Sequence, residues 1–205
     1  MGLKFEVCRQ AGLKFRNQMR KLIYIINLSI DGCFDHTAIG PPKGEDVFDF
    51  YINLVRNAGA LIYGRITYEI MVPYWPDIAK NPAGETKSDV EFAEAFDAVE
   101  KVVFSKTLDK AEGKNSRIVR TKPEDEIRKM KQEKGKNIYV GGVALPSYLI
   151  DHGLVDEYIF TVFPIVAGKG KRLMEGFDMQ ERLRLRLVDN KVFTSGAVML
   201  HYANK

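Results

Sequence analysis

Short apolar runs alternate with helical patterns along most of this chain, and this alternation restricts the fold more than any other feature of the sequence. Such runs are typical of strands buried on both faces of a parallel sheet, and parallel strands need a crossover, usually helical, between them. The predicted strands are residues 22–26, 60–63, 101–104, 116–119, 137–140 and 158–163. The predicted helices are residues 46–57, 67–72, 90–98, 124–134 and 143–152. The sequence therefore predicts one α/β domain with a largely parallel sheet.

Two regions depart from this alternation. Three prolines within residues 73–88 predict a long loop. Near the C-terminus, Leu183, Leu185 and Leu187 alternate with arginines, which predicts a half-exposed strand. A turn at residues 194–196 leads into an apolar run over residues 197–202, so the sheet should end in an antiparallel hairpin.

Composition excludes several classes of protein. The net charge of +4, from 31 basic and 27 acidic residues, is too small and too scattered to predict binding to nucleic acid. The longest apolar run, residues 22–28, is far shorter than the roughly 20 residues that a membrane-spanning helix needs. Two cysteines and three widely separated histidines predict neither a disulfide framework nor a metal site, and they favour a reducing, cytoplasmic compartment. Residues 1–19 are expected to be an N-terminal extension, disordered or not native, before a domain of residues 20–205.

Three of the predicted strands end in residues suited to a phosphate-rich ligand, and ligands of open α/β sheets bind beyond the carboxyl ends of the strands. The strongest candidate is Gly141-Gly142-Val143. Two glycines let the backbone approach a pyrophosphate, and the following helix offers free N–H groups at its positive end. Alone, a glycine pair after a strand is more often a tight turn.

The other two strand ends carry cations and hydroxyl groups. At the first, Gly64 is followed by Arg65, whose guanidinium suits a phosphate, and by Thr67, which is able to cap a helix or donate to phosphate. At the second, Ser105 and Lys106 suit a phosphate or a ribose. A helix cap beside a solvated arginine and an ordinary polar loop are the alternatives.

Four further features suggest possible roles. Asp31 ends the first strand, and Asp46 and Asp49 share a face at the start of the first helix. A partner of the helix dipole is the default role for Asp46, whereas Asp49 is a candidate proton donor. Trp75 is a candidate wall for a flat heterocycle or a residue that pins a loop by aromatic packing. Residues 168–171, Gly-Lys-Gly-Lys, fail both phosphate-loop patterns, and we expect them to lie in a flexible connection after Pro164.

These motifs occur in an order that resembles the dihydrofolate-reductase-like family, which includes the C-terminal reductase domain of the bifunctional riboflavin-biosynthesis deaminase–reductase. The resemblance covers about residues 20–203. Its motifs are Ser29-x-Asp31-Gly32, Gly64-Arg65-x-Thr67-Tyr68-Glu69, Lys101 to Leu108, Gly141-Gly142, Gly153 to Glu157, and Pro164-x-x-x-Gly168-x-Gly170.

The resemblance implies a three-layer α/β/α domain that binds NADPH and forms a homodimer. It implies that Gly141 and Gly142, often joined by a cis peptide in the family, bind the pyrophosphate. Gly64, Arg65 and Thr67 would form a second phosphate-binding turn, with Arg65, Ser105 and Lys106 selecting the 2′-phosphate. Asn27 and Leu28 would lie near the nicotinamide, and Asp49 falls near the helical acid of dihydrofolate reductases.

The substrate end departs from the family pattern. The arginine that holds a folate tail has no clear counterpart, and the arginine-rich phosphoribosyl-binding pattern of the riboflavin enzymes is missing. We therefore expect an NADPH-dependent reductase of a pyrimidine- or pteridine-like heterocycle, with aminouracil reduction first and dihydrofolate reduction second. The alternative is a non-catalytic nucleotide-binding module of the same fold.

Overall fold

The structure, a computed structural model, describes residues 19–40, 44–175 and 182–205. Eight strands are present in these ranges: β1 (Leu22–Ser29), β2 (Ala60–Gly64), β3 (Lys101–Phe104), β4 (Ser116–Val119), β5 (Ile138–Val140), β6 (Glu157–Phe163), β7 (Leu185–Val192) and β8 (Val198–Asn204). The helices there are α1 (His36–Ile39), α2 (Glu45–Arg56), α3 (Arg65–Lys80), α4 (Lys87–Ala98), α5 (Pro123–Gln132) and α6 (Ala144–Asp151). The predicted N-terminal extension falls almost entirely on residues 1–18, which lie outside the described ranges.

All eight strands form one sheet in the order β4-β3-β2-β5-β1-β6-β8-β7. The pairs from β4 to β6 are parallel, and the pairs β6–β8 and β8–β7 are antiparallel. The predictions of a mostly parallel sheet and of a C-terminal antiparallel hairpin are therefore confirmed. Within the described residues, no helix is long and apolar enough to cross a membrane.

The helices cover both faces of the sheet, which gives three layers. On one face, strand residues such as Ile23 and Leu61 pack in clusters with residues of α2, α3 and α4. On the other face, Leu22 and Ile62 pack with residues of α5 and α6. Successive residues of a strand face opposite ways, so a continuous apolar run supplies both cores.

The loop predicted for residues 73–88 is wrong, because α3 continues through Pro73 and Pro76 to Lys80, and α4 begins at Lys87. An interior proline removes one helical hydrogen bond and costs about 3 kcal/mol or more. Here the burial of Tyr68 and Val72 against β2 and β3 favours the helix. Tertiary packing therefore overrides the local proline signal.

The half-exposed strand predicted around Leu183 to Leu187 is present in part. Leu183 precedes β7, and Leu185 is the only partly buried residue of that strand. Leu187, Val188 and Val192 are exposed. β7 is the last strand of the sheet, so only β8 pairs with it among the described strands, and its basic residues are typical of a protected edge.

Candidate functional site

The fold brings the three candidate turns and the end of β1 to one edge of the sheet. β3, β2, β5 and β1 are consecutive neighbours and run parallel, so their carboxyl ends lie side by side. Those ends carry Ser105, Gly64, Gly141 and Asn27 in that order. Residues separated by more than one hundred positions in sequence therefore border the same surface.

Strand β5 ends before β1 does, and we call the open edge of β1 beyond it, residues 25–29 next to the end of β5, the crevice. β1 pairs with β5 only over Leu22–Tyr24, but it pairs with β6 as far as Ser29. The chain leaves β1 through α2 on one face and leaves β5 through α6 on the other. Such a reversal of the winding direction is where open α/β sheets bind ligands.

The glycine pair lies directly beyond β5, beside this crevice. The Gly141 N–H donates to the carbonyl of Ile62 at 3.1 Å, and the hydroxyl of Tyr24 donates to the carbonyl of Gly142 at 2.9 Å. A Cβ at Gly141 would lie 3.0 Å from the ring of Tyr63, and a Cβ at Gly142 would overlap the hydroxyl of Thr67. Gly142 also has a φ of 90°, which a residue with a side chain adopts only under strain. Gly142 therefore needs glycine, and a side chain at Gly141 would press on the Tyr63 ring; the bond between the two glycines is trans, unlike the cis bond that the resemblance implied.

Two helix N-termini meet at this point. Val143 is the N-cap of α6 and Gly64 is the N-cap of α3, and neither cap is formed by a side chain. The first N–H groups of a helix have no partner within the helix, and they create a partial positive charge. Thr67, in the first turn of α3, adjoins Gly142, so the two positive ends lie close together. The arrangement suits a ligand with two adjacent phosphates.

Arg65 begins α3 and is exposed. Its guanidinium lies 3.0 Å from the carboxylate of Glu69, one turn along the same helix. An exposed pair of this kind is worth less than about 1 kcal/mol. A phosphate would therefore compete readily for the guanidinium.

Ser105 and Lys106 have different roles at the end of β3. The Ser105 hydroxyl accepts hydrogen bonds from the backbone N–H groups of Thr107 at 3.2 Å and Leu108 at 2.9 Å, so it forms a local turn. The exposed Lys106 borders a cleft of about 610 Å³. The cleft is also lined by Arg120, Thr121, Lys122, Pro123, Asp125 and Tyr148.

This cleft was missed by the sequence reasoning, although its residues carry a signal. Arg120-Thr121-Lys122 follows β4 just as Ser105-Lys106 follows β3, and these two strands are neighbours. Arg120 donates to the carbonyl of Leu108 at 2.6 Å and so holds the turn that Ser105 forms. Tyr148 also lines the cleft; one face of its ring stacks on His152, with the ring centroids 4.1 Å apart, and its hydroxyl donates to Glu124 at 2.8 Å. Three cations beside an aromatic ring suit an anionic, flat ligand.

The two residues expected near the nicotinamide lie on β1. The side-chain carbonyl of Asn27 accepts a hydrogen bond from the hydroxyl of Tyr51 in α2, and that hydroxyl also lies 2.6 Å from the hydroxyl of Thr161 in β6. Leu28 follows on the opposite face and is buried.

The three candidate acids have separate environments. Asp49 is exposed on α2, and its carboxylate forms no hydrogen bond or ion pair with another described residue, so its role stays a prediction. Asp46 accepts from the backbone N–H of Thr194 at 2.7 Å and from its hydroxyl at 2.9 Å, and these bonds lower its pKa. Asp46 therefore ties α2 to the turn between β7 and β8.

Asp31 holds a loop in place. Its carboxylate accepts from the hydroxyl of Ser29 at 2.6 Å and from the backbone N–H groups of Ala167 and Gly168, at 2.9 and 3.0 Å. Arg172 reaches the same carboxylate at 3.2 Å. The bond from Ser29, followed by those from the backbone, holds the Asp31 pKa far below its ordinary value. Asp31 is thus an anchor rather than a proton donor, and the connection after Pro164 is anchored, not free as expected.

Trp75 is partly buried and packs against neighbouring aromatic rings. Its ring centroid lies 4.4 Å from that of Phe92 in α4 and 4.9 Å from that of Tyr74. This contact joins α3 to α4 on the face away from α6. The structure therefore supports aromatic packing for Trp75, although in a helix and not in a loop.

Comparisons with known proteins agree with this architecture. A family model described as the RibD C-terminal domain matches residues 20–199. The uncharacterized protein YyaP of Bacillus subtilis (strain 168) is 28% identical over 197 residues, covering 90% of this chain and 95% of that protein.

Two solved structures show the same fold. The deaminase/5-amino-6-(5-phosphoribosylamino)uracil reductase of Thermotoga maritima superposes with a TM-score of 0.64 at 14% identity, covering 91% of this chain and 57% of that one. Dihydrofolate reductase of Enterococcus faecalis, complexed with NADP(H), superposes with a TM-score of 0.57 at 14% identity, covering 90% and 96%. The fold is therefore dihydrofolate-reductase-like, as the resemblance implied.

Proposed function

Because this chain belongs to the RibD C-terminal domain family, we propose that it is an NADPH-dependent reductase of a pyrimidine- or pteridine-like heterocycle. The most specific form of the proposal is reduction of 5-amino-6-(5-phosphoribosylamino)uracil or a close analogue. The observation that carries it is the meeting of two uncapped helix N-termini, those of α3 and α6, beside the crevice between β5 and β1.

The pyrophosphate of NADPH fits this junction. Gly141 and Gly142 place no side chain between the backbone and a ligand, and Val143 and Ala144 begin the helix whose N–H groups would donate to one phosphate. Thr67 would donate its hydroxyl to the other. The carbonyl of Gly142 is already paired with Tyr24, so the turn keeps its shape without the ligand.

The cations at the ends of β2, β3 and β4 support a preference for NADPH over NADH. Arg65 is exposed at the start of α3, and Lys106, Arg120 and Lys122 border one cleft. A 2′-phosphate carries close to two negative charges, and charge-assisted bonds to such a group are about twice as strong as neutral ones. The face of the Tyr148 ring that is not stacked on His152 would offer a flat wall for the adenine beside them.

When bound, the nicotinamide supplies the hydride to a C=N or C=O carbon of the substrate. The residues of this chain would then position both ligands: Asn27 and Leu28 lie at the end of β1, on the open side of the crevice. Asp49 on α2 remains our proposal for supplying the proton, directly or through water.

The test follows NADPH oxidation at 340 nm with the aminouracil substrate and, separately, with dihydrofolate. Turnover of the aminouracil alone supports the proposal, and turnover of dihydrofolate alone moves the assignment to folate reduction. Tight NADPH binding without turnover of either substrate, or of related heterocycles, would identify a non-catalytic nucleotide-binding module. Gly142→Ala should lose NADPH-dependent turnover, and Gly153→Ala, where a Cβ meets no atom within 4 Å, is the matched control that should keep it.

A further inference from the structure

The most unusual polar group near the crevice is the hydroxyl of Tyr51. It lies 2.5 Å from the side-chain oxygen of Asn27 on β1 and 2.6 Å from the hydroxyl of Thr161 on β6. Asn27 and Thr161 are direct neighbours across the β1–β6 pair. Thr161 is fully buried, so α2 inserts one phenol between two polar side chains of the sheet.

The direction of these hydrogen bonds is restricted. A phenol has one proton to donate, so Tyr51 donates to the Asn27 oxygen while the Thr161 hydroxyl donates to Tyr51. Burial raises the pKa of Tyr51, and the hydrogen bond with Thr161 offsets this only in part, so the phenol stays protonated. The Asn27 oxygen is thereby occupied, and its NH2 group is the part of the amide left to donate elsewhere.

Asn27 stands where the crevice is open. Tyr24 is the last residue of β1 that pairs with β5, and it pairs with Val140, immediately before the glycine pair. Asn27 lies three residues farther along β1, past the end of β5, the strand that leads into Gly141-Gly142. Its amide therefore lies at the border of the surface where the dinucleotide would bind.

Helix α2 carries both Tyr51 and Asp49, but the two side chains differ in direction. Asp49 is exposed, whereas Tyr51 reaches the carboxyl half of β1. Among the described residues of α2, Tyr51 is thus the polar side chain that contacts the sheet at this level.

We propose that Tyr51 is a positioning residue, which fixes the Asn27 amide so that its NH2 group serves the nicotinamide half of the bound dinucleotide. The inference rests on the proposed function. According to this proposal, α2 acts at this end of the site through the Tyr51 hydroxyl, which holds the Asn27 amide in place.

The test compares two ligands of the whole protein, NADPH and 2′,5′-ADP, by fluorescence or calorimetric titration. 2′,5′-ADP has the adenosine and its two phosphates but no nicotinamide. Tyr51→Phe should weaken NADPH by about tenfold or more, the effect of one lost hydrogen bond, and change 2′,5′-ADP by less than about twofold. Tyr68→Phe is the matched control, because it also removes the hydroxyl of a buried tyrosine. That hydroxyl donates to the backbone carbonyl of Glu112. Tyr68→Phe should leave both affinities unchanged.

Asn27→Ala and the double variant test whether Tyr51 acts through Asn27. Asn27→Ala should give the same selective loss, and the double variant should be no weaker than the weaker single variant. Equal losses for the two ligands in Tyr51→Phe, or additive losses in the double variant, would overturn the inference while leaving the proposed function standing. If Tyr51→Phe does not fold, Asn27→Ala decides alone, and unchanged NADPH affinity in it refutes the role. A wild-type protein that binds neither ligand would overturn the proposed function and this inference with it.

Discussion

Replacing Gly142 by alanine should destabilise the protein strongly, because two separate effects act at that position. The φ of 90° lies outside the region that an alanine adopts readily, which costs about 2 kcal/mol. The new methyl group would also overlap the hydroxyl of Thr67, and overpacking of this kind costs about 1–3 kcal/mol. The sum is about 3–5 kcal/mol, which for a chain of this size lowers the melting temperature by about 10 °C.

Gly153 is the matched control. It also has a positive φ, of 64°, but a Cβ there would have no atom within 4 Å. Gly153→Ala should therefore show only the backbone cost, about 1 kcal/mol or about 3 °C. Adding Thr67→Ala to Gly142→Ala should recover the part of the loss that comes from overlap, because the hydroxyl is removed.

The assay is thermal unfolding followed by circular dichroism, together with titration of NADPH. We expect Gly142→Ala to melt well below Gly153→Ala and to lose NADPH affinity, while Gly153→Ala keeps it. If the two single variants melt within about one degree of each other, the contact between Gly142 and Thr67 does not have the energy assigned here.

Three further predictions concern the charged residues. Arg65→Ala should weaken NADPH binding about tenfold and NADH binding by less than twofold, because it removes a charge-assisted bond to the 2′-phosphate. Titration of each cofactor checks this, with Glu69→Gln as the control that should weaken neither. Equal losses for NADPH and NADH would remove the assignment of Arg65 to the 2′-phosphate. Lys106→Glu should likewise raise the dissociation constant of NADPH more than that of NADH at low salt, and the difference should shrink as salt is added. Asp31→Asn should reduce stability at pH 7, because the lowered pKa of Asp31 adds stability above about pH 4 that is lost as the pH falls further. In urea unfolding, the free energy of unfolding should therefore fall less between pH 7 and pH 3 in the variant than in the wild type. An equal fall in both proteins would contradict this.

The last prediction concerns the number of chains in the protein in solution. We expect a homodimer in solution, and light scattering of the purified protein would measure it. A mass of one chain, 23.3 kDa, would exclude this expectation.

The sequence by itself determined the layout of the fold. A continuous apolar run such as residues 60–63 is buried on both faces of the sheet, so its burial follows from neighbouring residues in the sequence. The same locality explains why Gly141-Gly142 and Gly64-Arg65 were found: each is a strand end followed by a helix, and both parts of that signal are neighbours in sequence.

Only the tertiary structure decided the features that depend on which strands become neighbours. α3 continues through Pro73 because a surface of β2 and β3 buries its apolar face, and no local signal contains that surface. Asp31 became an anchor because the backbone of residues 167 and 168 meets it, more than one hundred residues later in the chain. Tyr51 contacts Asn27 and Thr161 only once β1 and β6 are paired, and nothing in the helical pattern of residues 46–57 signals that contact. Local propensity acts over a few residues, whereas these roles come from contacts that form only when the sheet closes.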